Sequence, residues 1–175
     1  ASTVVYGNFS ATTVGSQYYN NLYLWNNGAE STGNFTSTGV DSIITLGDFQ
    51  ASDLGKKTIN VSAVNGSIQT LPNARVYVSA AGNTHLMNIS LTAKSIDLSA
   101  GGYGLNGLGG TITLTTDRLI LDSPGNYIQS TNGYLAIAPL TPSTGICINN
   151  ASCGNSGINL SMIGLWIKGG NIGQS

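Results

Sequence analysis

Side chains suited to acid–base chemistry are scarce in this sequence, which has seven carboxylates, six basic residues and one histidine. The carboxylates are Glu30, Asp41, Asp48, Asp53, Asp97, Asp117 and Asp122. Glycan-cleaving sites need carboxylates held close together, so that one acts as an acid and another as a base. The segment that holds Asp41, Asp48 and Asp53 is typical of a solvated loop, and His85 lies in a turn without a nucleophile pattern nearby. We therefore predict no enzymatic activity, no catalytic residue and no cofactor.

The two cysteines, Cys147 and Cys153, are separated by five residues that include Asn, Ser and Ala. A metal site would need further ligands, and His85 is distant in the sequence, so we predict no metal. A short polar loop of this kind can be closed by a disulfide, which we predict here. A structural disulfide indicates an oxidising compartment and therefore an extracellular or cell-surface location.

Seven asparagines stand in Asn-x-Ser/Thr sequences, which are acceptors for N-glycosylation in secreted proteins. They are Asn8, Asn34, Asn60, Asn65, Asn88, Asn150 and Asn159. Because the chain is rich in Asn, Ser and Thr, composition alone produces many such matches. Two interpretations stay open at this point, chance matches and a glycosylated surface filament.

A hydroxyl pattern is visible in one predicted strand, where Thr111, Thr113 and Thr115 alternate and therefore share one side. Ser90 and Thr92 continue the pattern only in part. A Thr ladder on a stacked β structure can order water or contact sugar. Ice binding or carbohydrate activity is therefore the lesser alternative function.

Charged residues make up 7% of the 175 residues, and the formal net charge is -1. In an ordinary soluble domain they make up about a quarter. The sequence has no basic cluster that would attract nucleic acid and no apolar run long enough for a membrane span. Val, Ile, Thr and Tyr alternate with polar residues, which indicates β-strands and not disorder. The pattern predicts an all-β protein covered by hydroxyl and amide groups.

The elements that position these side chains are indicated by a repeat, because residues 89–102 return in similar form as residues 112–125. The matched apolar pairs are Ile89 with Ile112, Leu91 with Leu114, Ile96 with Leu119, and Leu98 with Leu121. A second echo, at a spacing of 60 residues, aligns Ile59 with Leu119 and Ile68 with Ile128. Short strand pairs cannot bury their apolar faces alone, but stacked copies can.

We therefore predict a right-handed parallel β-solenoid with the matched apolar residues facing inward. The alternative is an Ig-like or pilin-like antiparallel β-sandwich that is completed by a donated N-terminal strand. Asn-Gly pairs predict turns with positive φ at residues 65–66, 106–107 and 132–133. The one helix candidate is a single turn over Phe49–Leu54.

Residues 1–40 differ from residues 41–175, because they concentrate aromatic side chains and show no copy of the repeat. We predict that residues 1–40 form N-terminal strands that act as a cap or a donor strand. Residues 41–175 form the repeat-containing β domain. The residues of the candidate donor strand are Thr3, Val4, Val5, Tyr6, Phe9 and Ala11.

The wording of residues 87–175 resembles the degenerate repeats of filamentous-haemagglutinin-like adhesins of the two-partner-secretion type. The likeness rests on residues 88–102, on Gly-Thr-Ile-Thr-Leu-Thr-Thr at residues 110–116, and on residues 135–148, 157–161 and 167–172. The resemblance implies a long right-handed parallel β-helix and a role in adhesion. The chain is shorter than most members of that family, and its cysteine pair departs from the family pattern.

A second, weaker resemblance is to extracellular filament subunits that are linked by donor strands, and it rests on composition and layout. From both resemblances we expect a secreted structural protein, an adhesin or a surface-filament subunit, assembled by strand stacking. The alternative is a glycosylated, pilus-like subunit that polymerises head to tail by donor-strand complementation. The expected partners are copies of the chain, neighbouring repeats of a longer chain, and host or cell-surface glycans.

Overall fold

The computed structural model describes residues 2–25, 30–51, 55–78, 87–100, 104–106, 109–121, 127–147, 158–159 and 166–172. These residues form strands and connecting turns and contain no helix. The strands are β1 (Ser2–Tyr6), β2 (Phe9–Thr13), β3 (Gln17–Trp25), β4 (Ser31–Ser37), β5 (Ile43–Ala51), β6 (Lys57–Thr70), β7 (Arg75–Val78), β8 (Met87–Asp97), β9 (Gly104–Asn106), β10 (Thr111–Ile120), β11 (Tyr127–Ala138), β12 (Ile146–Cys147), β13 (Ile158–Asn159) and β14 (Trp166–Ile172).

Twelve of the strands stack into three parallel ladders, which are the three sides of a coil. The first ladder runs through β1, β3, β5, β7, β9, β11 and β14. The second runs through β2, β4, β6, β8, β10 and β11. The third joins the first part of β3 and of β5 to the last parts of β6, β8 and β10. The longer strands therefore turn a corner and belong to two ladders. Strands β12 and β13 form a separate parallel pair.

This stacking confirms the predicted parallel β-solenoid. Every strand pair among the described residues is parallel, whereas the alternative sandwich requires antiparallel neighbours. The predicted right-handed sense of the coil stays a prediction. In the described part of the chain, no helix is present that could cross a membrane.

The core is a set of inward columns, in which each residue lies on its counterpart in the next coil. One column of the first ladder contains Leu22, Phe49, Val76, Leu105 and Ile128, all of which are buried. Successive side chains of a strand point to opposite faces, so one residue in two enters the core. Each buried side chain thus removes apolar surface from water against its own coil and both neighbours.

The 23-residue repeat is confirmed as a stacking repeat. Ile89 pairs with Ile112, Leu91 with Leu114 and Ile96 with Leu119, and all are buried. The 60-residue echo is not one. Ile59 lies in the second ladder, where it pairs with Ile89, whereas Leu119 lies in the third ladder. That echo compares different sides of the coil.

Two local predictions also fail. Phe49 does not begin a helix, because it pairs with Leu22 and Val76 in the first ladder; residues 52–54 lie outside the described residues. Gly66 does not take a positive φ. It is required for another reason, since a Cβ atom there would lie 2.0 Å from the carbonyl oxygen of Ser42 in the coil below. Gly133 lies within β11, also without a positive φ, and Gly107 lies outside the described residues.

The first coils are filled by aromatic rings where later coils use aliphatic side chains. Phe35 is fully buried, and its ring centroid lies 5.4 Å from that of Phe9, 4.7 Å from that of Tyr19 and 5.3 Å from that of Phe49. Gly33 leaves the room for this ring, because a Cβ atom on it would lie 3.0 Å from Cε2 of Phe35. In the following coils the position of Gly33 is occupied by isoleucine.

Candidate functional site

The outward side of the second ladder carries an unbroken array of uncharged polar side chains, which we call the polar face. It consists of five rows of three residues: Asn8, Ser10 and Thr12; Thr32, Asn34 and Thr36; Thr58, Asn60 and Ser62; Asn88, Ser90 and Thr92; Thr111, Thr113 and Thr115. All fifteen positions are Asn, Ser or Thr. The residues between them in each row point into the core. The alternation that fills the core thus also builds this face.

The rows follow one another without a register shift along this side of the coil. The recorded shifts in β6 and β11 fall at corners, between Ala63 and Ser67 and between Ser130 and Tyr134. Neighbouring parallel strands lie about 4.8 Å apart, and alternate residues of a strand about 6.6 Å apart. The polar face is therefore a regular two-dimensional array. The first row is exposed, and the later rows are half-buried by their neighbours.

Several asparagines of the polar face are held in place by hydrogen bonds between rows. The Nδ2 atom of Asn60 donates to Oδ1 of Asn34 at 2.8 Å. The backbone N–H of Thr32 donates to Oδ1 of Asn8 at 2.9 Å, and that of Thr111 to Oδ1 of Asn88 at 2.9 Å. Thr is also stiff at χ1 because of its branched Cβ. These constraints fix much of the array before any ligand arrives.

The sixth row ends the polar array and replaces it with an aromatic ring. Tyr134 continues the column of Thr111 and is 56% exposed. Ala136 and Ala138 follow in the same row, in register with Thr113 and Thr115. The two methyl groups are low, so the phenol ring stands clear of its neighbours at the end of the face.

Charged side chains lie away from the polar face. Asp41 is in an exposed turn with φ 56°, Lys94 is exposed between the second and third ladders, and Asp48 is on the first ladder. Oδ1 of Asp48 accepts a hydrogen bond from the backbone N–H of Arg75 at 2.8 Å. The described residues contain no cluster of three His, Cys, Asp or Glu side chains that could hold a metal ion. Asp53, His85 and Asp122 lie outside the described residues.

The remaining carboxylates of β8 and β10 have local structural partners. Asp97 accepts hydrogen bonds from the backbone N–H and hydroxyl of Ser99, which end β8 in a turn. Asp117 accepts hydrogen bonds from the backbone N–H and the hydroxyl of Thr141, each at 2.7 Å. Burial acts to raise the pKa of Asp117, but the hydrogen bonds from Thr141 and its neighbours outweigh it and lower the pKa. Asp117 thus ties β10 to the turn after β11.

A buried polar network lies at the corner of the first two coils. The Nε2 atom of Gln17 donates to the carbonyl of Thr36 at 2.6 Å and to the hydroxyl of Thr13 at 3.1 Å. Its Oε1 atom accepts from the hydroxyl of Tyr19 at 2.8 Å. Burial raises the pKa of Tyr19, which keeps the phenol neutral and able to donate. The amide is satisfied within the protein, so the network is structural.

Four of the seven predicted glycosylation sites, Asn8, Asn34, Asn60 and Asn88, lie on the polar face. Asn65 is exposed at a corner, where its Nδ2 atom donates to the carbonyl of Thr38 at 3.2 Å. The backbone of Asn159 lies in β13, and Asn150 is outside the described residues. Glycosylation stays a prediction, and it would cover the polar face.

The other predicted site residues are placed as follows. The backbone of Cys147 lies in β12 and Cys153 is outside the described residues, so the disulfide stays a prediction. Residues of the predicted donor strand lie in β1 and β2, where they pair in parallel with β3 and β4 of the same chain. Donation to another subunit stays a prediction.

Sequence reasoning found only one row and part of another of the polar face. The other rows were missed because three of them carry asparagine and serine among the threonines, and because the rows are unevenly spaced in sequence. Aligning the chain on inward apolar positions would have revealed them. No protein family matches the chain, and neither a curated protein nor a solved structure matches it.

Proposed function

We propose that this chain is a non-enzymatic structural segment of a secreted adhesin or surface filament, which extends by stacking β-coils end to end. The observation that carries the proposal is the open edge of the first coil. Among the described residues, β1 and β2 are the two ends of the path of paired strands, and each has a strand on one side only. Their outer N–H and C=O groups can therefore pair with a further parallel strand.

This edge lacks the features by which proteins prevent such pairing. Native edge strands are blunted by charges, prolines or bulges. Residues 1–29 contain no charged residue and no proline, and the pairings of β1 and β2 show no register shift. An uncharged, in-register edge is suited to receive the next coil of a copy or of a longer chain.

Two further features support an extracellular, adhesive role. The surface is covered by neutral hydroxyl and amide groups, which suit contact with neutral partners and do not attract nucleic acid. The chain also has the parallel solenoid that its resemblance to filamentous-haemagglutinin-like adhesins implies. Pairing of the N-terminal strands within their own chain favours stacking over the donor-strand alternative.

The proposal is tested by a charge placed at the edge, pointing inward. Wild-type protein at rising concentration should form rods that lengthen, as seen by sedimentation velocity and negative-stain microscopy. Ala11→Lys should stop this growth, because an inward charge at the edge cannot be buried under a second coil. Thr12→Lys is the matched control, since this neighbouring residue points outward, and it should leave growth unchanged.

Circular dichroism must show the same β content in both variants. Wild-type protein that stays monomeric at every concentration, or rods formed equally by Ala11→Lys, would contradict assembly through this edge.

A further inference from the structure

The polar face has the properties of a binding surface for an extended, neutral ligand. None of its fifteen positions carries a charge, although the chain has thirteen charged residues of the Lys, Arg, Asp and Glu types elsewhere. A charged polymer or mineral would need opposite charges, which the face does not offer. The ligand that complements it is neutral and rich in hydrogen-bonding groups.

The shape of the face excludes a small ligand. Pockets for small molecules are concave and surround most of the ligand, whereas the outward side of a single ladder has no walls. A ligand on this surface has to make many weak contacts over a distance. From the row of Asn8 to the row of Tyr134 there are five steps of about 4.8 Å, roughly 24 Å in all. A polymer chain laid along the solenoid axis can use this length.

Tyr134 decides between the two neutral ligands that present repeated hydroxyl groups, ice and polysaccharide. A water lattice would require the array to continue evenly, but the sixth row presents a phenol ring beside two alanines. The C–H face of a sugar ring is apolar and packs well on an aromatic ring, while its hydroxyls pair with amides and hydroxyls. The arrangement of Tyr134 next to the polar rows fits a sugar polymer.

We infer that the polar face binds a neutral polysaccharide, whose chain lies along the solenoid axis and stacks one sugar ring on Tyr134. The side chains are largely ordered in advance, by the stiff threonines and by the Asn34–Asn60 bond of 2.8 Å, so less entropy is lost on binding. This inference names the partner of the proposed adhesin and rests on that function only for its extracellular setting. Binding does not require assembly through the edge of β1 and β2.

Affinity electrophoresis tests the inference with polysaccharides cast into native gels. The neutral probes are hydroxyethylcellulose, glucomannan, mannan, laminarin and dextran, and alginate is the anionic probe. At least one neutral probe should retard the wild type, and alginate should not. Tyr134→Ala should weaken the apparent affinity about tenfold, because the stacking surface is lost. Tyr134→Phe should bind like the wild type, since the ring is kept.

Two further variants separate the face from general effects. Thr113→Glu places a charge in the middle column, where a bound glycan would have to desolvate it, and should abolish retardation. Val64→Glu introduces the same charge at an exposed corner, and Tyr18→Ala removes a tyrosine that is 65% exposed on another side. Both controls should bind like the wild type.

Retardation by none of the five neutral probes would overturn the inference, as would retardation by alginate alone or equal binding by Thr113→Glu. Ice shaping by wild-type protein that binds no glycan would assign the face to ice instead. All variants are compared as monomers at low concentration. A chain that polymerises without binding glycan therefore contradicts only this inference, and one that binds glycan without polymerising contradicts only the assembly.

Discussion

The first coils, β1 to β5, and the central coils, β8 and β10, build the same three ladders from different side chains. In the central coils each inward column holds an aliphatic residue at every level, such as Ile89 on Ile112 and Leu91 on Leu114. In the first coils one large ring, Phe35, lies over a glycine and touches three other rings. Equal packing is thus reached by distributing volume evenly or by concentrating it.

The difference teaches that strand register here is set by the backbone and by alternation, and not by the identity of the core residue. Phe9 and Gly33 differ greatly in volume, yet they pair in the same column as Ile59. Ladder hydrogen bonds are the same for any residue but proline, whereas the volume has to be balanced within the coil as a whole. The predictions below break or sharpen this comparison.

The largest effect is expected where both regions share one requirement, a corner without a Cβ atom. A Cβ atom on Gly47 would lie 1.5 Å from the carbonyl oxygen of Asn20, and one on Gly110 would lie 2.1 Å from that of Met87. Gly47→Ala and Gly110→Ala should each lower the free energy of unfolding by about 3 kcal/mol or more, since backbone has to move. Urea unfolding measures this. Gly15→Ala is the control, because nothing lies within 4 Å of the added atom.

Truncation of the core should separate the two regions. Phe35→Ala should cost about 4 kcal/mol and Leu91→Ala about 3 kcal/mol, because the ring leaves the larger cavity. Phe35→Ala should also remove the near-ultraviolet circular dichroism of the aromatic cluster, whereas Leu91→Ala should keep it. Equal costs and unchanged aromatic signals in both variants would show that Phe35 does not hold the first coils together.

The pairing of Gly33 with Phe35 can be tested by a double-mutant cycle. Gly33→Ala should cost about 1–2 kcal/mol, because its Cβ atom would lie 3.0 Å from the ring of Phe35. In a Phe35→Leu background the same change should cost less or stabilise the protein, since the first coils then resemble the central ones. Additive effects in urea unfolding would rule out the exchange of volume between the two positions.

A smaller effect is expected at a buried hydroxyl that interrupts an aliphatic column. Thr70 pairs with Leu46 and is 5% exposed, and its Oγ1 atom has no hydrogen-bond partner among the described residues. Thr70→Val keeps the shape and should raise the free energy of unfolding by about 1 kcal/mol. Thr116→Val is the contrasting variant, because its hydroxyl donates to the carbonyls of Lys94 and Arg118, and it should destabilise.

The smallest effect concerns pH and belongs to the central coils alone. The pKa of Asp117 lies below its ordinary value of 3.8, so the charged form is favoured in the folded protein. The stability this adds is present above the ordinary pKa and is lost as the pH falls through the folded one. Asp117→Asn should therefore lower the melting temperature slightly near neutral pH, and the difference should shrink at acid pH. A difference independent of pH would mean that charge plays no part.

The sequence predicted the central coils well because their corners are short. The second and third ladders are separated by one residue in β8, Lys94, and by one in β10, Asp117. Copies of similar length keep a constant spacing, so Ile89, Ile112 and Leu135 recur every 23 residues. Coils of unequal length hide the same stacking. Phe9, Gly33, Ile59 and Ile89 are spaced by 24, 26 and 30 residues, which is why no copy was visible in residues 1–40.

Alternation and composition, which are local, settled by themselves that this chain is all-β, stacked, poor in charge and polar on its surface. Tertiary structure alone decided which rows lie side by side. Whether Asn8, Asn34 and Thr113 belong to one face depends on how many residues each corner takes up, and corner length follows from packing between coils. A polar residue with a period of two shows only that it points outward. The stacking of the coils turns those separate outward residues into one continuous surface.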